Sequence, residues 1–168
     1  SENRVTSIPG DTNDEFAALL GCSLSTSLAL MENESNLKFG ESVLIVGCGG
    51  LGLSLLNAAR LRGAGEIIVV DKMKDKETLA LENGASEFYS GINNFSSKVD
   101  LIIDTTGNPN VIQQTFSLLS GSGRMILVGQ PEPEASICFP DAIRLFSGRG
   151  QLIKATQGGG MNPQDDIP

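Results

Sequence analysis

An alternation constrains this chain most: short apolar runs ending at glycine or aspartate, each followed by residues with helical spacing. Ser42 to Gly47 (SVLIVG) is a short run of β-branched and apolar residues ending at glycine, the pattern of a strand buried on both faces. From Leu51 to Arg62 the apolar residues Leu51, Leu55, Ala58, Ala59 and Leu61 fall near a 3.6-residue period, and Gly63 and Gly65 supply the stop. Glu66 to Val70 (EIIVV) is a second strand ending at Asp71, and Asp75 to Glu82 carries strong helix formers before Asn83-Gly84. Phe88 and Tyr89 mark a short third strand. The rhythm then repeats, with a strand at Val99 to Ile103, an amphipathic helix at Asn110 to Leu119 and a strand at Arg124 to Val128. Asp141 to Phe146 reads as a short helix and Gln151 to Ala155 as a weaker strand. Upstream, Asp14 to Met31 forms an apolar helix with Asp14 and Glu15 at its positive end.

Strands alternating with helices pair in parallel, and right-handed crossovers stack them into one twisted sheet. The expected fold is therefore α/β, a Rossmann doubly wound parallel sheet of about six strands with helices on both faces. A length of 168 residues suits one such unit. Residues 1–34 read as a lead-in segment, 35–156 as the sheet domain and 157–168 (QGGGMNPQDDIP) as a truncated linker. The whole reads as the central part of a longer polypeptide.

Charge and composition remove several functions. A net charge of -8 repels phosphate backbones and anionic lipid, so neither nucleic acid nor a membrane is an expected partner. The chain has no histidine, which excludes a Ser-His-Asp triad and a His-ligated metal from its own residues. Cys22, Cys48 and Cys138 show no C-x-x-C pairing, and with no export signal a reducing cytoplasm is expected.

Gly47-Cys48-Gly49-Gly50-Leu51-Gly52 fits G-x-G-x-x-G between a predicted strand and a predicted helix. The first glycine makes a tight turn, the second lets amides approach a pyrophosphate, and the third lets helix and strand pack closely. Phosphates then meet the helix N-terminus with its unpaired donors. Asp71 follows about 20 residues on, at the end of the next strand, where a carboxylate accepts hydrogen bonds from both adenosine ribose hydroxyls. Each part has a plain reading as well, a glycine-rich turn without ligand and a solvated strand end. A carboxylate here favours NAD over NADP, since at about 4 Å it repels a 2′-phosphate by on the order of 4 kcal/mol per charge pair. Lys72, Lys74 and Lys76 offset part of that repulsion, while Lys72 and Lys74 read equally as an exposed charged helix start. Thr106 and Gly107 after one later strand, and Val128 and Gly129 at the end of the next, stand where a nicotinamide would face, or simply terminate strands.

The order of these motifs resembles the cofactor domain of the zinc-dependent medium-chain alcohol dehydrogenases. AALLGCSLST (17–26), SVLIVGCGGLG, VVDKMKDK with ENGASE, DTTGN, MILVGQP and SGRGQ with GGGMNPQDDIP carry the likeness through nearly the whole chain. The resemblance implies that Cys22 is one ligand of a catalytic zinc, that Thr26 lies beside the nicotinamide and that Lys76 contacts the adenosine ribose. Read without it, Cys22 is a small buried hydrophobe on an apolar helix. Ser27 departs from the glycine usual in the family; Cys48 and Cys138 are read as structural. The implied activity is hydride transfer between an alcohol or aldehyde and nicotinamide, in a homo-oligomer. The remaining zinc ligands would lie in a catalytic domain outside this sequence, so this chain alone is expected to hold no zinc and turn over no alcohol. Two other readings use the same motif, a non-catalytic NAD-sensing module and a zinc-free quinone-reductase-like relative.

Overall fold

The computed structural model of the chain describes residues 7–139, 141–146 and 150–162. Six strands, β1 (Ser42–Val46), β2 (Glu66–Val70), β3 (Glu87–Tyr89), β4 (Val99–Asp104), β5 (Leu119–Leu127) and β6 (Leu152–Ala155), form one sheet in the order β3-β2-β1-β4-β5-β6. Every neighbouring pair is parallel. The order reverses between β1 and β4, and at such a switch point the two following loops part and leave a crevice.

The apolar runs are continuous because both faces of the sheet are covered. Val43, Ile45, Ile67, Val69, Leu101 and Ile103 pack with Leu55, Leu56 and Ala59 of α3 (Gly50–Leu61) and Ala80 of α4 (Glu77–Glu82). The alternate residues Leu44, Val46, Ile68, Val70 and Ile102 point the other way, against Ile112 and Phe116 of α5 (Pro109–Phe116). A two-residue side-chain period thus divides each run between two cores.

Four details differ from the sequence expectation. The predicted helix from Asp14 to Met31 is two helices, α1 (Asp14–Leu20) and α2 (Ser23–Ala29), followed by a π turn at Leu30–Glu34. The break falls at Gly21-Cys22, where Cys22 has φ -151° and ψ -76° and the Ser25 hydroxyl donates to the Leu20 carbonyl at 2.6 Å across the gap. A side chain competing for a helix carbonyl in this way is a known source of bends. Asp75–Glu82 is a 3-10 turn (Lys74–Lys76) followed by α4, and Ala142–Phe146 is likewise a 3-10 turn. Helix α5 stops at Phe116; Leu119 already opens β5, whose register shifts before Arg124.

The two ends of the described chain meet. Gly159 (φ +65°) sits so close to α2 and the π turn that a Cβ there would lie 2.4 Å from the Leu30 amide nitrogen. Asn33 Nδ2 donates to the Gly159 carbonyl at 3.2 Å, and Lys154 pairs with Glu34 at 3.2 Å. The outermost parts of the predicted lead-in and linker, residues 1–6 and 163–168, lie outside the described residues. On the neighbouring β5 the buried Arg124 guanidinium donates to the Ser35 and Asn36 carbonyls and forms an ion pair with Glu41. It ties the segment leaving the π turn to the sheet.

Candidate functional site

The four glycines of the loop between β1 and α3 divide into two kinds. Gly47 has φ +99°, and a Cβ on it would lie 2.3 Å from Thr105 Oγ1; a Cβ on Gly52 would lie 2.0 Å from the Gly47 carbonyl oxygen. Turn geometry and the close seating of α3 on β1 therefore require those two. Gly49 and Gly50 are under neither constraint: both have negative φ, and a Cβ on either would meet nothing within 4 Å. Their bareness opens the outer surface of the loop, where the amides at the start of α3 emerge. The first bond within the helix runs from the Leu53 amide to the Gly49 carbonyl at 2.9 Å, so the amides of Gly50, Leu51 and Gly52 precede the helical ladder and face an anion with the positive end of the dipole.

Asp71 stands just past β2 and reaches across to this loop. Its Oδ2 accepts from the Cys48 amide at 2.7 Å and from Lys76 Nζ at 3.1 Å, and its Oδ1 accepts from the Met73 amide at 2.9 Å. Partial burial pushes the carboxyl up, but the two amides and the ammonium outweigh it and hold Asp71 below its ordinary 3.8. The group is thus a fixed carboxylate with lone pairs left over for vicinal hydroxyls. Beside it lies a cleft of about 340 Å³ lined by residues including Gly47, Asp71, Lys72, Ser90, Ile92 and Thr106. Ser90, Gly91, Ile92 and Val111 carried no sequence signal as cleft residues, because loop and helix positions of ordinary polarity become a wall only through the fold.

The loops after β4 and β5 interlock. Gly107 (φ +64°) could bear no Cβ, which would lie 2.3 Å from the Gln130 carbonyl oxygen, and a Cβ on Gly129 would come within 2.2 Å of the Gly107 nitrogen. Thr106 and Gly107 donate their amides to Asp104, and Val128 and Gly129 follow at the end of β5. Of the residues singled out from sequence, the fold brings Gly47, Gly49, Gly50, Leu51, Gly52, Asp71, Lys76, Thr106, Gly107, Val128 and Gly129 to the carboxyl ends of β1, β2, β4 and β5. Thr26 is buried on α2, exposed Cys22 precedes that helix, and neither lines the cleft. Among the described residues no three His, Cys, Asp or Glu side chains are grouped to hold a metal. Among the same residues no helix is long and apolar enough to cross a membrane.

Several carboxylates make stability depend on pH. Burial raises Asp100 and Glu41, but the Ser42 amide and hydroxyl with the Ser120 hydroxyl for the former, and Arg124 with the Lys38 amide for the latter, outweigh it and lower both. Groups held below their unfolded values stabilise the fold above those values and lose that contribution as pH falls through the folded ones. Asp104, fully buried, is instead raised; its preference for the folded state is complete at low pH and fades as pH rises through its folded value. Three groups oppose one, so the urea midpoint should fall as pH drops from about 5 to about 3, and Asp100→Asn should flatten that slope. A midpoint that rises on acidification contradicts the assignment.

Comparison with known proteins bears on the family. Residues 50–160 match the zinc-binding dehydrogenase family, well over half of the chain. The chain belongs to that family. It is 30% identical to alcohol dehydrogenase-like 5 of Arabidopsis thaliana over 98% of its own length and 45% of that protein's. It is 27% identical to the NDMA-dependent alcohol dehydrogenase of Amycolatopsis methanolica, over 91% and 44% of the two chains. Benzyl alcohol dehydrogenase from Acinetobacter calcoaceticus superposes with a TM-score of 0.89 at 26% identity, covering 99% of this chain and 48% of that one. The chain therefore spans about half the length of its zinc-binding dehydrogenase relatives. The expected Rossmann sheet and the resemblance to the cofactor domain of this family are both borne out.

Proposed function

We propose that this chain is the NAD-binding domain of a zinc-dependent alcohol dehydrogenase. One observation carries the reading: Gly49 and Gly50 are glycines that neither backbone geometry nor packing demands, directly over the free amides of α3. A diphosphate needs that bareness. In this reading the amides of Gly49, Gly50, Leu51 and Gly52 hold the pyrophosphate, Asp71 takes the adenosine ribose hydroxyls with Lys76 beside it, and Thr26, Thr106, Gly107, Val128 and Gly129 border the nicotinamide. Bound nicotinamide supplies the hydride acceptor or donor. The chain's own residues fix the dinucleotide at both ends and hold its reactive ring at one place.

Zinc would be held by Cys22 only together with ligands from a catalytic domain, which residues 1–34 and 157–168 would join to the NAD domain of residues 35–156. No step through the metal is derived from this chain's residues. The substrate class is a small alcohol or aldehyde, and the setting a cytoplasmic homo-oligomer.

Asp71 sets the choice of nicotinamide. Its charge is pinned by three donors, so it cannot swing away from a 2′-phosphate without giving them up. Lys72 and Lys76 offset this only in part, because Lys76 is already paired with Asp71. Calorimetric titration should find NAD bound at least about tenfold more tightly than NADP, a difference of about 1.4 kcal/mol. Equal affinities would take Asp71 out of this role.

A further inference from the structure

The sheet order β2-β1-β4 sets the loop after β2 on one side of the cleft beside Asp71 and the loop after β4 on the other. Asp71, Lys72 and Met73 come from the first loop; Thr106, Asn108 and Val111, from the second loop and the first turn of α5, line the far side. Asp104, the last residue of β4, is completely buried and reaches the cleft only through others. Its Oδ1 accepts the amides of Thr106 at 3.1 Å and Gly107 at 2.8 Å, and its Oδ2 accepts the Thr106 hydroxyl at 2.9 Å. That hydroxyl accepts the Asn108 amide at 3.1 Å, and Asn108 Oδ1 caps α5 by accepting the amides of Asn110 at 3.0 Å and Val111 at 3.4 Å. Hydrogen bonds thus run in one line from a buried carboxylate to every residue named on the far side. Burying a carboxylate is costly unless its lone pairs are satisfied, and here each group bonded to it belongs to the loop it fixes. Its main-chain carbonyl accepts the amides of Val128 at 2.9 Å and Gly129 at 3.0 Å, so the loop after β5 hangs on backbone that a side-chain substitution leaves in place.

We propose that Asp104 is a positioning residue for the adenosine end of the dinucleotide, setting through the Thr106 hydroxyl the side of the cleft that faces Asp71. This rests on the NAD-binding reading above and extends it to a residue outside the cleft. The loop after β4 stands between those after β1 and β5, so Thr106 borders the adenosine as well as the nicotinamide. The two carboxylates hold their sides separately, since the partners of Asp71 are Cys48, Met73 and Lys76, none of which bonds to Asp104.

The test titrates the whole chain with AMP, which carries the adenosine end alone, by calorimetry. Asp104→Asn keeps an acceptor for the two amides but turns a donor toward the Thr106 hydroxyl, and should weaken AMP by roughly fivefold. Thr106→Val removes the hydroxyl and should cost about as much, whereas Thr106→Ser keeps it and should bind AMP within about twofold of the parent. In the double variant Asp104→Asn with Thr106→Val the losses should not add, because both break one hydrogen bond. Amide hydrogen exchange should quicken at Asn108 but not at Gly52, a pattern that general loosening would not produce. Additive losses overturn the proposal, as does parent-like affinity in Asp104→Asn or in Thr106→Val, or a Thr106→Ser variant as weak as Thr106→Val. Should Asp104→Asn not fold, the two Thr106 variants still decide, since Thr106 is exposed and either change is mild. A parent chain that binds NAD but not AMP overturns the proposal alone. One that binds neither refutes the NAD reading itself, and the proposal with it.

Discussion

Gly52→Val should unseat α3 and abolish NAD binding. The added Cβ would lie 2.0 Å from the Gly47 carbonyl oxygen; its position is fixed by the backbone and the oxygen is a backbone atom, so no side-chain rotation relieves the clash. Helix and strand must separate, which loosens Leu55, Leu56 and Ala59 from Val43 and Ile45. Disrupting a core contact of that kind costs on the order of 3–5 kcal/mol, a large part of the stability of an ordinary domain. At this chain length each kcal/mol moves the melting temperature by about 2–4 °C, so a drop of about 10 °C is expected by circular dichroism. Gly49→Ala is the counterpart. It adds its methyl group to open space at φ -86°, so it should melt with the parent protein yet bind NAD more weakly. If both variants lose stability equally, or both keep the coenzyme, the division of the glycines into structural and ligand-facing is mistaken.

Asp71→Ala should lower NAD affinity by about a hundredfold. Hydrogen bonds to a charged group contribute about 1.5–3 kcal/mol each, and two ribose hydroxyls would lose theirs, partly offset by water. The same change leaves the Cys48 amide and Lys76 without their acceptor and removes the charge that repels a 2′-phosphate. NADP should then suffer far less than NAD, and the ratio of the two affinities should approach unity in parallel titrations. Asp71→Asn keeps one acceptor oxygen without the charge and should lie between. A variant binding NAD within about threefold of the parent would show that the ribose is held elsewhere.

The sheet was legible because Val43–Val46, Ile67–Val70 and Leu101–Ile103 must satisfy two cores at once and are therefore apolar without interruption. The glycine loop and Asp71 were legible because each does something no other residue type can do there. What escaped was decided by interactions distant in sequence or by the backbone alone. The break at Gly21-Cys22 depends on a Ser25 hydroxyl turned back to Leu20, which an apolar helical pattern does not reveal. The first half of β5 pairs with β4 only at Leu119 and then shifts register through Ser120–Gly123, which carry no apolar side chain, so hydrophobicity placed its start at Arg124. Arg124 itself reads as a surface cation, and only the fold brings Ser35, Asn36 and Glu41 to it. Asp104 was visible as a strand end, but its hold on two loops emerges only once β4 and β5 lie side by side.

The central claim is that the amides over Gly49 and Gly50 and the Asp71 carboxylate grip one dinucleotide. A crystal of this chain grown with NAD tests it directly. The pyrophosphate should rest on the amides of Gly49 to Gly52, with both adenosine ribose hydroxyls within hydrogen-bonding distance of Asp71. Coenzyme density elsewhere, or a bound dinucleotide whose ribose turns away from Asp71, would contradict the account.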